Sequence, residues 1–110
     1  MSIENVNILK FVKPNDDHVI FLSSSFCQPC KELLKKIENE VNEIKIIKIV
    51  INTDDDAEVE ASFDIFDMKN VPTLIKYNDG REKNRSIGLK QCLDNFYSFF
   101  TSEINDDDDF

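Results

Sequence analysis

The sequence predicts an α/β fold in which helices cover both faces of a central mixed sheet of about four strands. Three observations support this prediction. The apolar run at residues 19–22 and the largely β-branched stretch at residues 44–51 have the length and composition of buried strands. Between them, apolar residues recur at helical spacing, which is typical of a parallel crossover. A hairpin signal at residues 78–81 then predicts an antiparallel pair, so the sheet is expected to be mixed.

Length and charge limit the domain organisation and the partners. A chain of 110 residues makes one domain, which we place at residues 1–104. Residues 105–110 form an acidic tail that we predict to be disordered, because its Asp run is too charged to pack. Thirteen Lys and Arg against 22 Asp and Glu give a net charge of −9, which argues against nucleic acid or an anionic membrane as partner.

Nothing in the sequence indicates export or membrane insertion. No apolar run approaches the ~20 residues of a membrane span. The first residues carry neither a basic region nor an apolar stretch of the kind found in secretory signals. We therefore predict a cytoplasmic location.

The first element has two interpretations. Within residues 2–12, Ile3, Val6 and Leu9 lie at helical spacing ahead of Pro14, which predicts a helix. A strand is the competing interpretation of the same residues.

The later elements follow in a regular order. They are a strand over 18–23, a helix from 29 to about 44, a strand over 44–51, a short helix over about 56–63, strands over 73–77 and 82–87, and a closing helix over 89–100. Asp79 and Gly80 favour a tight turn between the last two strands, because both tolerate positive φ. One face of the closing helix is predicted to carry Leu89, Leu93, Phe96 and Phe100.

One motif carries chemistry. Cys27 and Cys30 are three positions apart and can interconvert between dithiol and disulfide with little movement of the backbone. Pro29 suits the first turn of the following helix, so the pair is expected at a helix N-terminus. Unpaired N–H groups and the positive end of the helix dipole stabilise a thiolate there. We predict that Cys27 is the exposed nucleophile and that the shielded Cys30 resolves the mixed disulfide.

The alternative for the two cysteines is half of a zinc site. Such a site needs two further ligands, and only Cys92 and His18 are available, without zinc-ribbon spacing. We therefore predict no metal and no cofactor. Cys92 is expected to be a small packing residue of the closing helix, and His18 a solvated residue at a strand edge.

Beyond this motif, the chain resembles the thioredoxin family over roughly residues 3–100. A strand, an aromatic residue, Cys27-Gln28-Pro29-Cys30, Lys31 and a long helix follow one another as in that family's active site. Independently, Val71-Pro72-Thr73 stands before the hairpin, where the family carries a cis proline, and Gly88 follows the hairpin.

The resemblance implies a thiol–disulfide oxidoreductase. Its clients would be proteins with disulfides, and a thioredoxin reductase or another dithiol donor would return it to the reduced state. The alternative is a thioredoxin-like binding module with little redox activity. The implied site residues are Cys27 and Cys30 for catalysis; Phe26, Val71 and Pro72 for substrate binding; and Gln28, Pro29, Lys31 and Lys48 in support.

The substrate groove is a separate expectation. The main-chain N–H and C=O of Val71 are expected to be free to pair with an extended client segment. An apolar shelf beside them is expected from Phe26 and Val71, with Met68 as a candidate third member.

The sequence departs from the family pattern in three places. Gln28 stands where the family has Gly, and Phe26 where it has Trp. The family's buried Asp falls on Phe21, whereas its interior Lys corresponds to Lys48. These changes leave the dithiol intact and bear on how Cys30 is deprotonated and on the redox potential.

Overall fold

Residues 2–41 and 44–100 are described by the computed structural model. Within them the chain forms strands, α-helices and one short 3₁₀ helix. In chain order these are β1 Ser2–Asn5, the 3₁₀ helix Ile8–Lys10, β2 His18–Ser24, α1 Gln28–Glu40, β3 Lys45–Ile51, α2 Asp56–Phe66, β4 Thr73–Asn78, β5 Arg81–Ile87, α3 Gly88–Asp94 and α4 Phe96–Phe100. The predicted acidic tail lies outside the described residues.

The strands form one five-stranded sheet in the order β1-β3-β2-β4-β5. The first three strands in this order are parallel, whereas β4 runs antiparallel to β2 and β5 antiparallel to β4. The predicted α/β architecture with a mixed sheet is therefore confirmed. There are five strands in place of about four, because β1 adds an edge strand beside β3.

The predicted helix over residues 2–12 is wrong. The chain forms β1 there and then the 3₁₀ helix, at whose start Asn7 Oδ1 accepts a hydrogen bond from the Leu9 N–H at 2.8 Å. Ile3 packs against the core on one face of the sheet, whereas Ile8 belongs to the core on the other face. A helix would direct its apolar side chains to one face, whereas here they lie on opposite faces of the sheet. Pairing with β3 therefore outweighs the helical spacing.

Each face of the sheet buries its own hydrophobic core. Val19 and Phe21 of β2 contribute to one core, while Ile20 and Leu22 contribute to the other, as the two-residue period of a strand requires. We call the first the cysteine-side core; its buried members are Val19, Phe21, Cys30, Leu33, Ile37, Val41, Ile46, Leu74, Cys92, Phe96 and Phe99. We call the second the α2-side core; its buried members are Ile8, Ile20, Leu22, Ile47, Ile49, Ile51, Phe66, Ile75 and Tyr77.

The predicted hairpin between β4 and β5 is confirmed. Asp79 and Gly80 form its two-residue turn with φ of +54° and +75°. Positive φ at both positions matches the twist of the two strands. The Asp79 N–H also donates to Asp17 Oδ1 at 3.1 Å, which fixes the turn against the start of β2.

The closing segment differs from the single helix that the sequence predicts. It consists of α3 and α4, separated at Asn95, whose φ of −101° and ψ of 10° are not helical. Cys92, Phe96 and Phe99 are buried, whereas Leu93 is exposed. Leu89 and Phe100 also pack against the cysteine-side core, so the predicted face of the closing segment is confirmed except at Leu93.

Candidate active site

The cysteine pair lies in the connection between β2 and α1. Phe26 adopts a left-handed conformation with φ of +60°, which turns the chain from the strand toward the helix. Cys27 is the N-cap residue of α1, and Pro29 occupies the first helical turn, where its missing N–H leaves no hydrogen bond unmade. The predicted position of the pair at a helix N-terminus is therefore confirmed.

The two cysteines are joined in a disulfide, with their Cα atoms 5.3 Å apart. Cys27 is half-buried, whereas Cys30 is 3% exposed and belongs to the cysteine-side core. The Cys30 N–H donates to Cys27 Sγ at 3.2 Å. A donor of the first helical turn is therefore aimed at the sulfur that water can reach, and it would stabilise a negative charge there.

A cavity of about 210 Å³ adjoins the disulfide. Phe21 and Lys48 lie opposite each other on β2 and β3, and both line this cavity together with Cys30 and Lys31. Phe21 is fully buried. None of the described residues that line the cavity is a carboxylate. Among these lining residues the charged side chains are Lys31 and Lys48, and their positive charges favour a thiolate.

The Val71–Pro72 loop lies on the same side of the sheet as the cysteines. Thr73 at the start of β4 pairs with Leu22 of β2, so the preceding residues lie beside the end of β2 that leads to Cys27. Val71 packs against the cysteine-side core, and the peptide bond between Val71 and Pro72 is cis. The Gly88 N–H donates to the Pro72 carbonyl at 2.8 Å, which ties the loop to the start of α3.

The Val71 N–H is occupied, in contrast to the expectation from the sequence. It donates to the side-chain Oδ1 of Asn70 at 2.8 Å. Asn70 was not among the predicted site residues. The sequence feature that could have indicated it is that Asn side chains readily bond to neighbouring main-chain groups.

The apolar shelf is formed only in part. The Phe26 side chain is 95% exposed, and Val71 is partly buried beside the cysteine-side core. Met68 packs against the α2-side core and is not part of this surface. Within the site, exposed apolar surface therefore comes chiefly from Phe26.

Cys92 is buried on α3, as expected of a packing residue. Its thiol donates to the Ser86 carbonyl at 3.5 Å and approaches the Pro72 carbonyl at 3.8 Å. Burial raises the pKa of Cys92 to about 11. Such a thiol stays protonated near neutral pH and is a poor nucleophile.

The expectation that His18 is solvated is wrong. His18 is 2% exposed, and its ring stacks on Tyr77 with the ring centroids 5.0 Å apart. Nδ1 donates to the Asp16 carbonyl at 2.8 Å. The ring is buried because β2 and β4 pair His18 with Tyr77, a register that sequence patterns do not reveal.

Among residues 2–41 and 44–100, no group of three or more His, Cys, Asp or Glu residues could hold a metal ion. No helix of the same residues is long and apolar enough to cross a membrane.

Comparison with known proteins finds similar sequences among the thioredoxins. The Thioredoxin family model matches residues 3–101. Thioredoxin of Chlamydia caviae is 37% identical over 70 residues, which cover 61% of this chain and 64% of the relative. Thioredoxin of Chlamydia pneumoniae is 31% identical over 83 residues, 74% of each protein. The chain thus spans slightly less than two thirds of the first relative's length.

A solved structure agrees with the fold. The long form of thioredoxin f from spinach chloroplast has a TM-score of 0.71 at 20% identity, covering 92% of this chain and 85% of that one. At this identity the likeness concerns the fold alone. Because the family model matches nearly the whole chain, this chain belongs to the thioredoxin family.

Proposed function

We propose that this chain is a thiol–disulfide oxidoreductase that reduces disulfides in client proteins through the Cys27–Cys30 pair. The observation that carries the proposal is the hydrogen bond from the Cys30 N–H to Cys27 Sγ at 3.2 Å. It directs the start of α1 at the more exposed sulfur, the arrangement that lowers a thiol pKa. Membership of the thioredoxin family supports the same activity.

The reaction has two exchange steps. The Cys27 thiolate attacks one sulfur of the client disulfide, forming a mixed disulfide and releasing the other client sulfur as a thiolate, which takes a proton from water. Cys30 then loses its proton and attacks Cys27 Sγ. The Cys27–Cys30 disulfide forms, the second client thiolate leaves, and the client has gained two electrons.

The lysines beside the pair support the second step. Phe21 lies opposite Lys48, and none of the described residues that line the cavity is a carboxylate that could accept the Cys30 proton. The proton passes to water, and the charges of Lys31 and Lys48 stabilise the thiolate that remains. Gln28 and Pro29 shape the first turn of α1, which holds the two sulfurs together.

Clients bind beside the pair in this proposal. An extended segment pairs with the main chain of Val71 and lies against Pro72, while the exposed ring of Phe26 provides apolar contact. The strongly acidic composition of the chain disfavours acidic clients.

A dithiol donor must return the pair to the reduced state. One structural neighbour, with a TM-score of 0.66 over 88% of this chain and 94% of that chain, comes from a complex of ferredoxin:thioredoxin reductase with thioredoxin f2. By analogy we propose a thioredoxin reductase as the partner here. Because such a cycle requires a reducing compartment, a cytoplasmic location is part of the proposal.

A binding module with little redox activity is the second candidate. The observation in its favour is the apolar Phe21 ring beside the cysteines, with no carboxylate among the described residues that line the cavity. Such a module would bind clients through the Val71–Pro72 loop and would not catalyse the reduction of their disulfides.

Reduction of insulin by dithiothreitol tests the proposal. The unsubstituted protein is expected to accelerate the reaction, and Cys27→Ser to lower the rate to that of dithiothreitol alone. Cys92→Ala is the matched control and should retain the acceleration, because Cys92 is buried away from solvent. No acceleration by the unsubstituted protein would favour the binding module.

A further inference from the structure

We propose that the side chain of Asn70 acts as a built-in competitor of the client main chain, so that Asn70 sets client affinity at this site. Asn70 Oδ1 accepts the Val71 N–H at 2.8 Å. In the proposed function, which this inference requires, the same N–H pairs with a carbonyl of the client. Client binding therefore has to displace the Asn70 amide.

The main chain around this contact is held independently of the Asn70 side chain. The Asn70 carbonyl accepts a hydrogen bond from Thr73 Oγ1 at 2.7 Å, and Thr73 is fully buried. The Pro72 carbonyl is held by the Gly88 N–H at 2.8 Å. The Asn70 side chain, in contrast, belongs to an exposed residue. It can rotate away from Val71 while the loop keeps its position.

The contact distinguishes two kinds of substrate. A client that pairs along the main chain must displace the amide before the Val71 N–H becomes available. A small disulfide reagent that reaches Cys27 without using this N–H meets no such competition. Asn70 thus lowers the affinity for extended clients and leaves the intrinsic reactivity of the cysteines unchanged.

The chain offers a matched control for this contact. Asn84 Oδ1 accepts the N–H of the following residue, Arg85, at 2.9 Å. The local geometry is the same, but Asn84 lies in the middle of β5 and not in the Val71–Pro72 loop. A general effect of removing an Asn side chain would therefore appear in both variants.

The experiment compares Asn70→Ala and Asn84→Ala with the unsubstituted protein. Two substrates are used: an extended uncharged peptide containing a disulfide, and a small aromatic disulfide. Asn70→Ala is expected to lower KM for the peptide about threefold, within the range of one net hydrogen bond. The kcat for the peptide and the rate with the small disulfide should not change. Asn84→Ala should change none of these values.

Hydrogen exchange adds a readout that does not depend on activity. The Val71 amide should exchange faster in Asn70→Ala, because its acceptor is gone. An unchanged or raised KM in Asn70→Ala, with activity intact, would overturn this inference and leave the proposed function standing. Absence of activity toward the peptide in the unsubstituted protein would overturn both.

Discussion

Two thiol environments in this molecule lie on one core and differ in nearly everything that controls reactivity. Cys27 is half-buried at the start of α1 and accepts the N–H of Cys30. Cys92 is fully buried on α3 and donates to the Ser86 carbonyl. Both pack against the cysteine-side core. Sulfur chemistry alone therefore does not distinguish them; solvent and the neighbouring main-chain dipoles do.

The comparison shows how the fold assigns roles to cysteines. At a helix N-terminus a sulfur meets N–H donors, which favour the thiolate. Beneath the Val71–Pro72 loop, the Cys92 thiol donates to carbonyl oxygens, and its burial outweighs the backbone hydrogen bond from Leu74 that favours the thiolate. The protonated thiol is therefore favoured, which gives Cys92 a structural role. Three experiments test this difference, beginning with the largest expected effect.

Alkylation of the reduced protein should separate the two thiols most clearly. At pH 7 we expect iodoacetamide to modify Cys27 more than about 10²-fold faster than Cys92, because the pKa of Cys92 is raised to about 11 while a free thiol titrates near ~8.5. Peptide mass spectrometry over time measures both rates. Equal rates in the folded protein would show that burial does not protect Cys92.

The pH dependence of stability should reveal the buried thiol. Because the pKa of Cys92 rises from 9.0 to about 11 on folding, the unfolded chain loses the proton first as pH increases. The folded state then binds more protons than the unfolded state, so stability falls between pH 9 and 11. The expected loss is about 2–3 kcal/mol.

Urea unfolding at several pH values measures this loss. Cys92→Ala is compared with its parent, and both carry Cys27→Ser and Cys30→Ser to prevent disulfide exchange. Burial also raises the pKa of Tyr77, but this contribution is common to both proteins and cancels. An identical pH dependence in the two proteins would contradict a buried thiol of raised pKa.

Lys48 should have the smallest effect. Lys48→Met keeps the length of the side chain and removes the charge that lines the cavity beside Cys30. We expect the alkylation midpoint of Cys27 to rise by about half a pH unit, as for one partly solvated charge. Lys35→Met is the control, because Lys35 lies on α1 outside the cavity. Equal shifts of the midpoint in both variants would indicate that the net charge of the protein, and not the position of Lys48, affects the Cys27 thiol.

Much of the fold could be predicted because its signals are local. The apolar run in β2, the β-branched residues of β3, the helical spacing of α1 and the Asp79–Gly80 turn each lie within one short segment. The Cys27–Cys30 motif is equally local, which is why its place at the start of α1 could be predicted.

Two of the features that were missed, β1 and the burial of His18, depend on partners far along the chain. β1 exists because it pairs with β3, whose residues lie about forty positions later. His18 is buried because the sheet stacks it on Tyr77. The break at Asn95 and the contact of Asn70 with Val71 depend on local conformations that no periodic pattern encodes.

Trapping of mixed disulfides tests the central claim most directly. Cys27 is proposed to attack the client disulfide, and Cys30 to release the client. The reduced variants Cys30→Ser and Cys27→Ser are each incubated with a protein disulfide, and covalent complexes are counted by intact mass. Cys30→Ser should accumulate a complex through Cys27, and Cys27→Ser should accumulate none. Trapping by Cys27→Ser alone would contradict the account.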